Sequence, residues 1–165
     1  MGHPNDFHLY IYEGEDITFK GYVTDDDGTA ITLIDLKTSA ENGDEGMDVF
    51  VYDEDVSPSV LVYTETDIDL SVAGADAHWY PTILDSTTTP TGPTTTGWSK
   101  SPPGANLAWT LTNVELETGG AQGSGTTTMV GGHRLRIEIH LNRAASVGGD
   151  IILRGVVDVA PLSSK

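Results

Sequence analysis

The chain of 165 residues contains no cysteine. Disulfides and thiolate metal sites are therefore excluded, and stability has to come from packing, hydrogen bonding or assembly. Cations are scarce as well: eight Lys+Arg stand against 25 Asp+Glu, a formal net charge of −17. Such a field repels phosphate backbones and anionic lipid. It argues against nucleic acid and membrane as direct partners, and favours a cationic protein surface or a bound cation. No run approaches the roughly 20 apolar residues that a membrane-crossing helix needs. The opening residues, Met1-Gly2-His3-Pro4-Asn5-Asp6, lack the basic and apolar regions of a secretion signal. These features predict a soluble chain made in the cytoplasm.

What charge there is falls unevenly. Residues 1–85 hold 20 acids against Lys20 and Lys37 alone, a balance of −18, while residues 86–165 hold five acids and six bases. The acidic character belongs to the N-terminal half, either as a solvated face or as a surface for a basic partner.

Helical periodicity has little support, whereas two-residue alternation recurs along the chain. After Tyr12-Glu13-Gly14-Glu15-Asp16, the residues Ile17, Phe19 and Val23 alternate with Thr18, Lys20, Tyr22 and Thr24 before the turn Asp25-Asp26-Asp27-Gly28. Strands are predicted at 7–12, 16–24, 30–33, 47–52, 59–64, 78–84, 107–112, 133–141 and 150–159. The last two carry the clearest pattern. Leu135, Ile137, Ile139 and Leu141 share one face and Arg134, Arg136, Glu138 and His140 the other, and Ile151, Leu153, Val157 and Val159 repeat the inward set after the turn at Gly148-Gly149. A helical turn is possible over 66–73, where Asp67, Asp69 and Leu70 break strand character. The reading is all-β: one β-sandwich domain over residues 1–165, with long Thr/Pro-rich and Gly-rich loops.

The longest loop is an insertion at about 86–106. It runs through Thr94-Thr95-Thr96-Gly97-Trp98 to Pro102-Pro103-Gly104, with too little apolar content to pack alone. An aromatic inside such an extension either anchors it to a partner or tucks back onto its own domain. Trp98, with Thr94, Thr95, Thr96, Pro102 and Pro103, is the candidate partner-binding segment. A second tract, 119–128, is rich in Gly and Thr.

Candidate chemistry is thin. Asp25, Asp26 and Asp27 resemble the start of a calcium loop but lack its alternating acids and distal glutamate, so a plain hairpin turn competes with that reading. Asp53-Glu54-Asp55 and Asp67-x-Asp69 complete a cation site only if the fold brings their turns together. His133 and His140 are an odd number of residues apart, which points them to opposite faces of a regular strand, and no histidine pair has helical metal-binding spacing. There is no Gly-x-Ser-x-Gly elbow and no phosphate loop. Trp79, Tyr80 and Trp98 are candidates for a sugar-stacking platform, while Trp109 alternates with Leu107 and Leu111 toward the core. The expectation is a protein that is not an enzyme, with no cofactor and no catalytic residues.

An aromatic followed by Glu13-Gly14-Glu15-Asp16, an alternating strand, Asp25-Asp26-Asp27-Gly28-Thr29 and Ile31-x-Leu33 make up the front of the chain. The back has Arg134 to Leu141, Gly148-Gly149-Asp150 and Arg154-Gly155-Val156-Val157-Asp158-Val159. Together they resemble the immunoglobulin-like N-terminal domain of tailed-phage baseplate upper proteins and related small virion proteins. The segment from Ala75 to Asn106 is additional to that pattern. The resemblance implies an immunoglobulin-like β-sandwich and a non-enzymatic place in the virion. The implied role is a capsid decoration or cement protein, a homo-oligomer that binds the major capsid protein and neighbouring virion subunits. A baseplate, neck or tail adaptor is the alternative within that class, and a carbohydrate-binding module the alternative outside it.

Overall fold

The computed structural model describes residues 6–21, 23–24, 27–28, 31, 46–68, 77–79, 107–118, 133–143 and 149–161. Within them the chain runs β1 (Phe7–Tyr12), β2 (Ile17–Gly21), β3 (Met47–Asp53), β4 (Val60–Ile68), β5 (Ala77–Trp79), β6 (Leu107–Leu111), α1 (Asn113–Thr118), β7 (Arg134–Leu141) and β8 (Ile151–Ala160). Five strands form one sheet in the order β1-β8-β7-β3-β4, and three form another in the order β2-β6-β5. The pairings are antiparallel except β1 with β8, which is parallel. The fold is all-β, and both sheets contribute to one buried apolar cluster in the manner of a sandwich.

Alternation builds the larger sheet. Leu135, Ile137, Ile139 and Leu141 of β7 are buried, and so are Ile151, Leu153, Val157 and Val159 of β8. Register sets Ile139 between Val49 and Leu153, and Leu135 between Asp53 and Val157, so the inner residues form continuous rows across the strands. Each such side chain contributes roughly 1.5–3 kcal/mol by leaving water. The smaller sheet follows the same rule over a longer sequence separation: Ile17 faces Leu111, Phe19 faces Trp109 and Gly21 faces Leu107. Trp109 is 1% exposed, in the core as its neighbours predict.

Two glycines shape the seam between the sheets. The ring of Phe7 on β1 lies over Gly155 on β8, and the ring of Phe19 lies over Gly21, in each case where a β-carbon would stand. The two rings meet at 4.6 Å between centroids with a 49° tilt. The absent side chains thus make room for an aromatic pair that joins one sheet to the other.

The turn between β1 and β2 explains the Glu13-Gly14-Glu15-Asp16 run. Gly14 has φ of 79°, the left-handed region that glycine enters without strain. The Tyr12 N–H donates to Glu15 Oε2 at 2.8 Å, and the Glu15 N–H donates to the Tyr12 carbonyl at 3.0 Å. Asp16 works further away, its Oδ1 accepting the N–H of Asn113 at 2.8 Å at the start of α1.

That helix was not expected from the sequence. It spans six residues, seats Leu116 fully in the core and leaves Val114 66% exposed. Thr24 is also buried rather than outward, so alternation ends at Val23. Strand β4 continues past the predicted end to Ile68; of the segment 66–73, residues 69–73 lie outside the described residues, and among the described ones Asp67 is the disturbance. Asp67 has φ of 59°, a conformation that aspartate tolerates better than most, and donates its N–H to Asp48 Oδ1 at 2.8 Å. Of the strand predicted at 30–33 only Ile31 is described. It is buried and donates its N–H to the Val23 carbonyl at 3.4 Å. Of 78–84, the described residues are His78 and Trp79, which belong to β5.

Candidate functional site

The outward residues of the five-stranded sheet form a face of rings and charges. Arg134, Arg136, Glu138 and His140 project from β7, with Ile152, Arg154, Val156 and Asp158 beside them on β8. His8, Tyr10 and Tyr12 flank them on β1, and Asp48, Phe50 and Tyr52 on β3. Cross-strand register turns these residues into partners. Arg134 lies opposite Asp158 and grips it with Nε at 2.8 Å and Nη2 at 3.3 Å, and His8 Nε2 reaches the same carboxylate at 2.7 Å. Arg136, opposite Tyr52, stands 4.1 Å from the centre of that ring, donates to Glu54 Oε1 at 2.7 Å and also bonds Glu138. His140 Nε2 lies 3.4 Å from the other Glu138 oxygen and packs on Phe50, with 5.1 Å between ring centroids. Tyr10 stacks on His8 at 4.4 Å and is 75% exposed.

The charges respond to one another. The Arg134 hydrogen bond, followed by that of His8, holds the Asp158 carboxyl below its ordinary range. Hydrogen bonding from Arg136 lowers Glu54 despite some desolvation. Burial pulls the Arg136 guanidinium down, but Glu54 and Glu138 outweigh it and raise the group, while Asp158 raises Arg134. Asp158, Glu54, Arg134 and Arg136 are thus all held in their charged forms.

At the edge of this face two shallow clefts share Asp6 and Arg154. One of about 320 Å³ is lined by Asp6, Arg143, Gly149, Asp150, Ile151, Ile152 and Arg154, and the other, of about 180 Å³, by Asp6, Phe7, Arg136, Arg154, Gly155 and Val156. Their walls combine arginine, aspartate and aliphatic carbon. The Arg143 N–H donates to Asp150 Oδ1 at 3.0 Å across the base of the β7–β8 hairpin, while the Nε of the same arginine is buried without a partner.

A second cluster sits at one end of the sheet. Asp53 ends β3, Asp55 follows in the turn, and His133 precedes β7. His133 Nδ1 lies 3.7 Å from Asp53 Oδ2, and Nε2 lies 3.7 Å from Asp55 Oδ2. One donor atom from each of the three can be chosen so that all lie within 4.8 Å of one another. The backbone fixes this end firmly: the Glu54 N–H donates to the Arg134 carbonyl at 3.0 Å, and the Val159 N–H to the His133 carbonyl at 2.9 Å.

The residues named from the sequence fare differently. Asp27 is exposed in a turn beside Gly28, whereas Asp25 and Asp26 lie outside the described residues. Trp98, Thr94, Thr95, Thr96, Pro102, Pro103 and Tyr80 lie outside them too. Asp67 does not join Asp53 and Asp55: register places Asp53 beside Val60 and Met47 beside Ile68, so the two acidic turns occupy opposite ends of one hairpin. Sequence reasoning compared histidines with one another and so missed that His133 meets two aspartates. The signal was the turn Asp53-Glu54-Asp55, but its partner is set by the pairing of β3 with β7.

Among known proteins, no family model matches the chain and no curated protein matches it.

Proposed function

We propose that the chain is a non-enzymatic structural protein of a phage particle, a capsid decoration protein that binds and stabilises the shell of major capsid protein. The observation that carries the reading is the outer face of the five-stranded sheet. Tyr10, Tyr12, Phe50 and Tyr52 share it with Arg134, Arg136 and Arg154, the residue types in which protein interfaces are richest. A face spread over several neighbouring strands suits a protein surface better than a small molecule, which prefers a concave site. The cross-strand bonds hold its side chains in place before contact, which lowers the entropy lost on binding. The net charge of −17 favours encounter with basic patches on a shell. Binding the assembled state in many symmetric copies stabilises it by mass action, and self-association of the chain would multiply the contacts. The resemblance at the two ends of the chain supports the same class.

The test is binding of the purified chain to empty shells of the phage whose particles carry it, read by sedimentation and by cryo-electron microscopy. Saturable, stoichiometric binding is expected, weakened at least tenfold by Tyr10→Ala with Arg154→Ala. Density at the tail alone would move the chain to a baseplate, neck or tail adaptor, and absence from particles would overturn the virion reading.

A further inference from the structure

We infer that the chain associates with a second copy of itself head to tail, the β3–β4 tip of one molecule entering the arginine-lined cleft at the far end of the sheet in the next. The two features lie at opposite ends of the same strands. Register sets Asp53, the last residue before the tip, beside Leu135, and Ile151, which lines the cleft, beside Leu141. Strand β7 between them has eight residues, a span of roughly 25 Å at about 3.3 Å per residue. The tip cannot fill the cleft of its own molecule across that distance, so the contact has to be made between molecules.

Charge complementarity chooses the occupant. All four arginines of the chain, Arg134, Arg136, Arg143 and Arg154, lie on β7, on β8 or between them. Arg134 and Arg136 are neutralised by Asp158 and Glu54. Arg143 and Arg154 differ: neither makes an ion pair among the described residues, in a chain with 25 acids. Arg143 also has a buried Nε without a hydrogen-bond partner. Both line the cleft of about 320 Å³, where Ile152 supplies an aliphatic wall. The carboxylates of the cleft are those of Asp6 and Asp150, and Asp150 Oδ1 is engaged by the Arg143 N–H at 3.0 Å. The cleft therefore suits a segment that brings a carboxylate and a small aliphatic group together.

The tip is such a segment. Residues 54–60 are exposed throughout. Val56 and Val60 are each 43% exposed, and with Tyr10 and Val114 they are the large apolar side chains that stand out into solvent among the described residues. Glu54 and Asp55 each use one carboxylate oxygen within the molecule, Oε1 for Arg136 and Oδ2 for the Arg134 N–H. Among the described residues the second oxygen of each is left for an incoming arginine. The Glu54 N–H bond to the Arg134 carbonyl anchors the tip, so little order has to be gained on contact. A contact between unlike surfaces is heterologous, and its repetition closes a ring or extends a row of copies. This inference needs no shell and stands or falls separately from the virion reading.

The experiment is sedimentation equilibrium of the full chain over a concentration series, beside Arg154→Glu in the cleft and Val56→Lys in the tip. Salt of about 0.15 M, with a Debye length of roughly 8 Å, screens the repulsion between copies of charge −17. Concentration-dependent association is expected, weakened about tenfold or more in each variant. Mixing the two variants is the decisive arm. One supplies an intact tip and the other an intact cleft, so a one-to-one pair of wild-type affinity forms. A monomer at every concentration up to about 1 mM overturns the inference, as does association that either variant leaves unweakened. Loss in both variants without recovery on mixing refutes the head-to-tail arrangement. Should a variant not fold by circular dichroism, the methyl resonances of the wild type decide. Those of Val56 and Ile152 shift with concentration while those of Val114 on α1 hold still, and any other pattern refutes the contact.

Discussion

The two sheets solve the same burial problem with different resources. The five-stranded sheet has strands of up to ten residues, regular alternation along β3, β7 and β8, and an outer face tied by Arg134–Asp158 and Arg136–Glu54. Its counterpart has strands of three to five residues drawn from opposite halves of the chain. Outside its core, the cross-strand side-chain contact described is a long one, 3.4 Å between the hydroxyls of Thr18 and Thr110. The difference teaches where specificity resides. In the large sheet it is spread over rows of pairs, and in the small one it rests on a few big side chains, Trp109 above all.

The largest expected effect follows from that concentration. Trp109→Ala should cost about 3–5 kcal/mol by opening a cavity in the small sheet, measured by urea unfolding. Ile137→Ala in the large sheet should cost about 2–5 kcal/mol. Native-state hydrogen exchange sharpens the contrast: amides of β3, β7 and β8 should outlast those of β2 and β6, and equal protection would erase the distinction.

Next comes the seam. Gly155→Ala forces the Phe7 ring off its seat and should cost about 1–3 kcal/mol, read by the same unfolding assay and by altered Phe7–Phe19 contacts in NMR. Asp16→Ala removes the distant cap of α1 and should cost about 0.5–2 kcal/mol, with Asp16→Asn recovering most of it.

The smallest effect is electrostatic. Asp158 and Glu54 have lowered pKa values in the folded chain, so their contribution is present above the unfolded carboxylate range and is lost as pH falls through about 4 and below. The melting temperature of Arg134→Gln should therefore lie slightly below that of the wild type at pH 7, and the gap should close as pH falls below the ordinary carboxylate range. Salt should shrink the difference at pH 7, since these groups are largely exposed.

The same contrast governs what could be read in advance. β7 and β8 were legible because Leu135 to Leu141 and Ile151 to Val159 alternate without interruption, and one buried face suffices to define them. The helix at Asn113 was not, because a single turn is too short to show a period and its cap comes from Asp16 at the far side of the sequence. Thr24 looked outward because alternation describes a strand and says nothing of a chain leaving it. The Asp53–Asp55–His133 cluster was half legible: the acidic turn stands in the sequence, but only the register of Asp53 with Leu135 brings His133 beside it. Arg136 of β7 was visible as an outward residue, yet its partners are Tyr52 on β3 and Glu54 just after it, a pairing that composition does not encode.

The parallel pairing of β1 with β8 sets a clock on synthesis. Phe7 and Gly155 are neighbours in the sheet and lie nearly a full chain length apart in sequence. At about 5–20 residues per second the ribosome needs roughly 7–30 s to make the second strand after the first. Through that interval β1 lacks the strand it pairs with in the sheet. Closure of the large sheet is thus a late, high-contact-order event, and a slow one by nature. A chain cut before residue 155 would leave its first strand free to pair with another molecule, which makes premature termination an aggregation hazard in this topology.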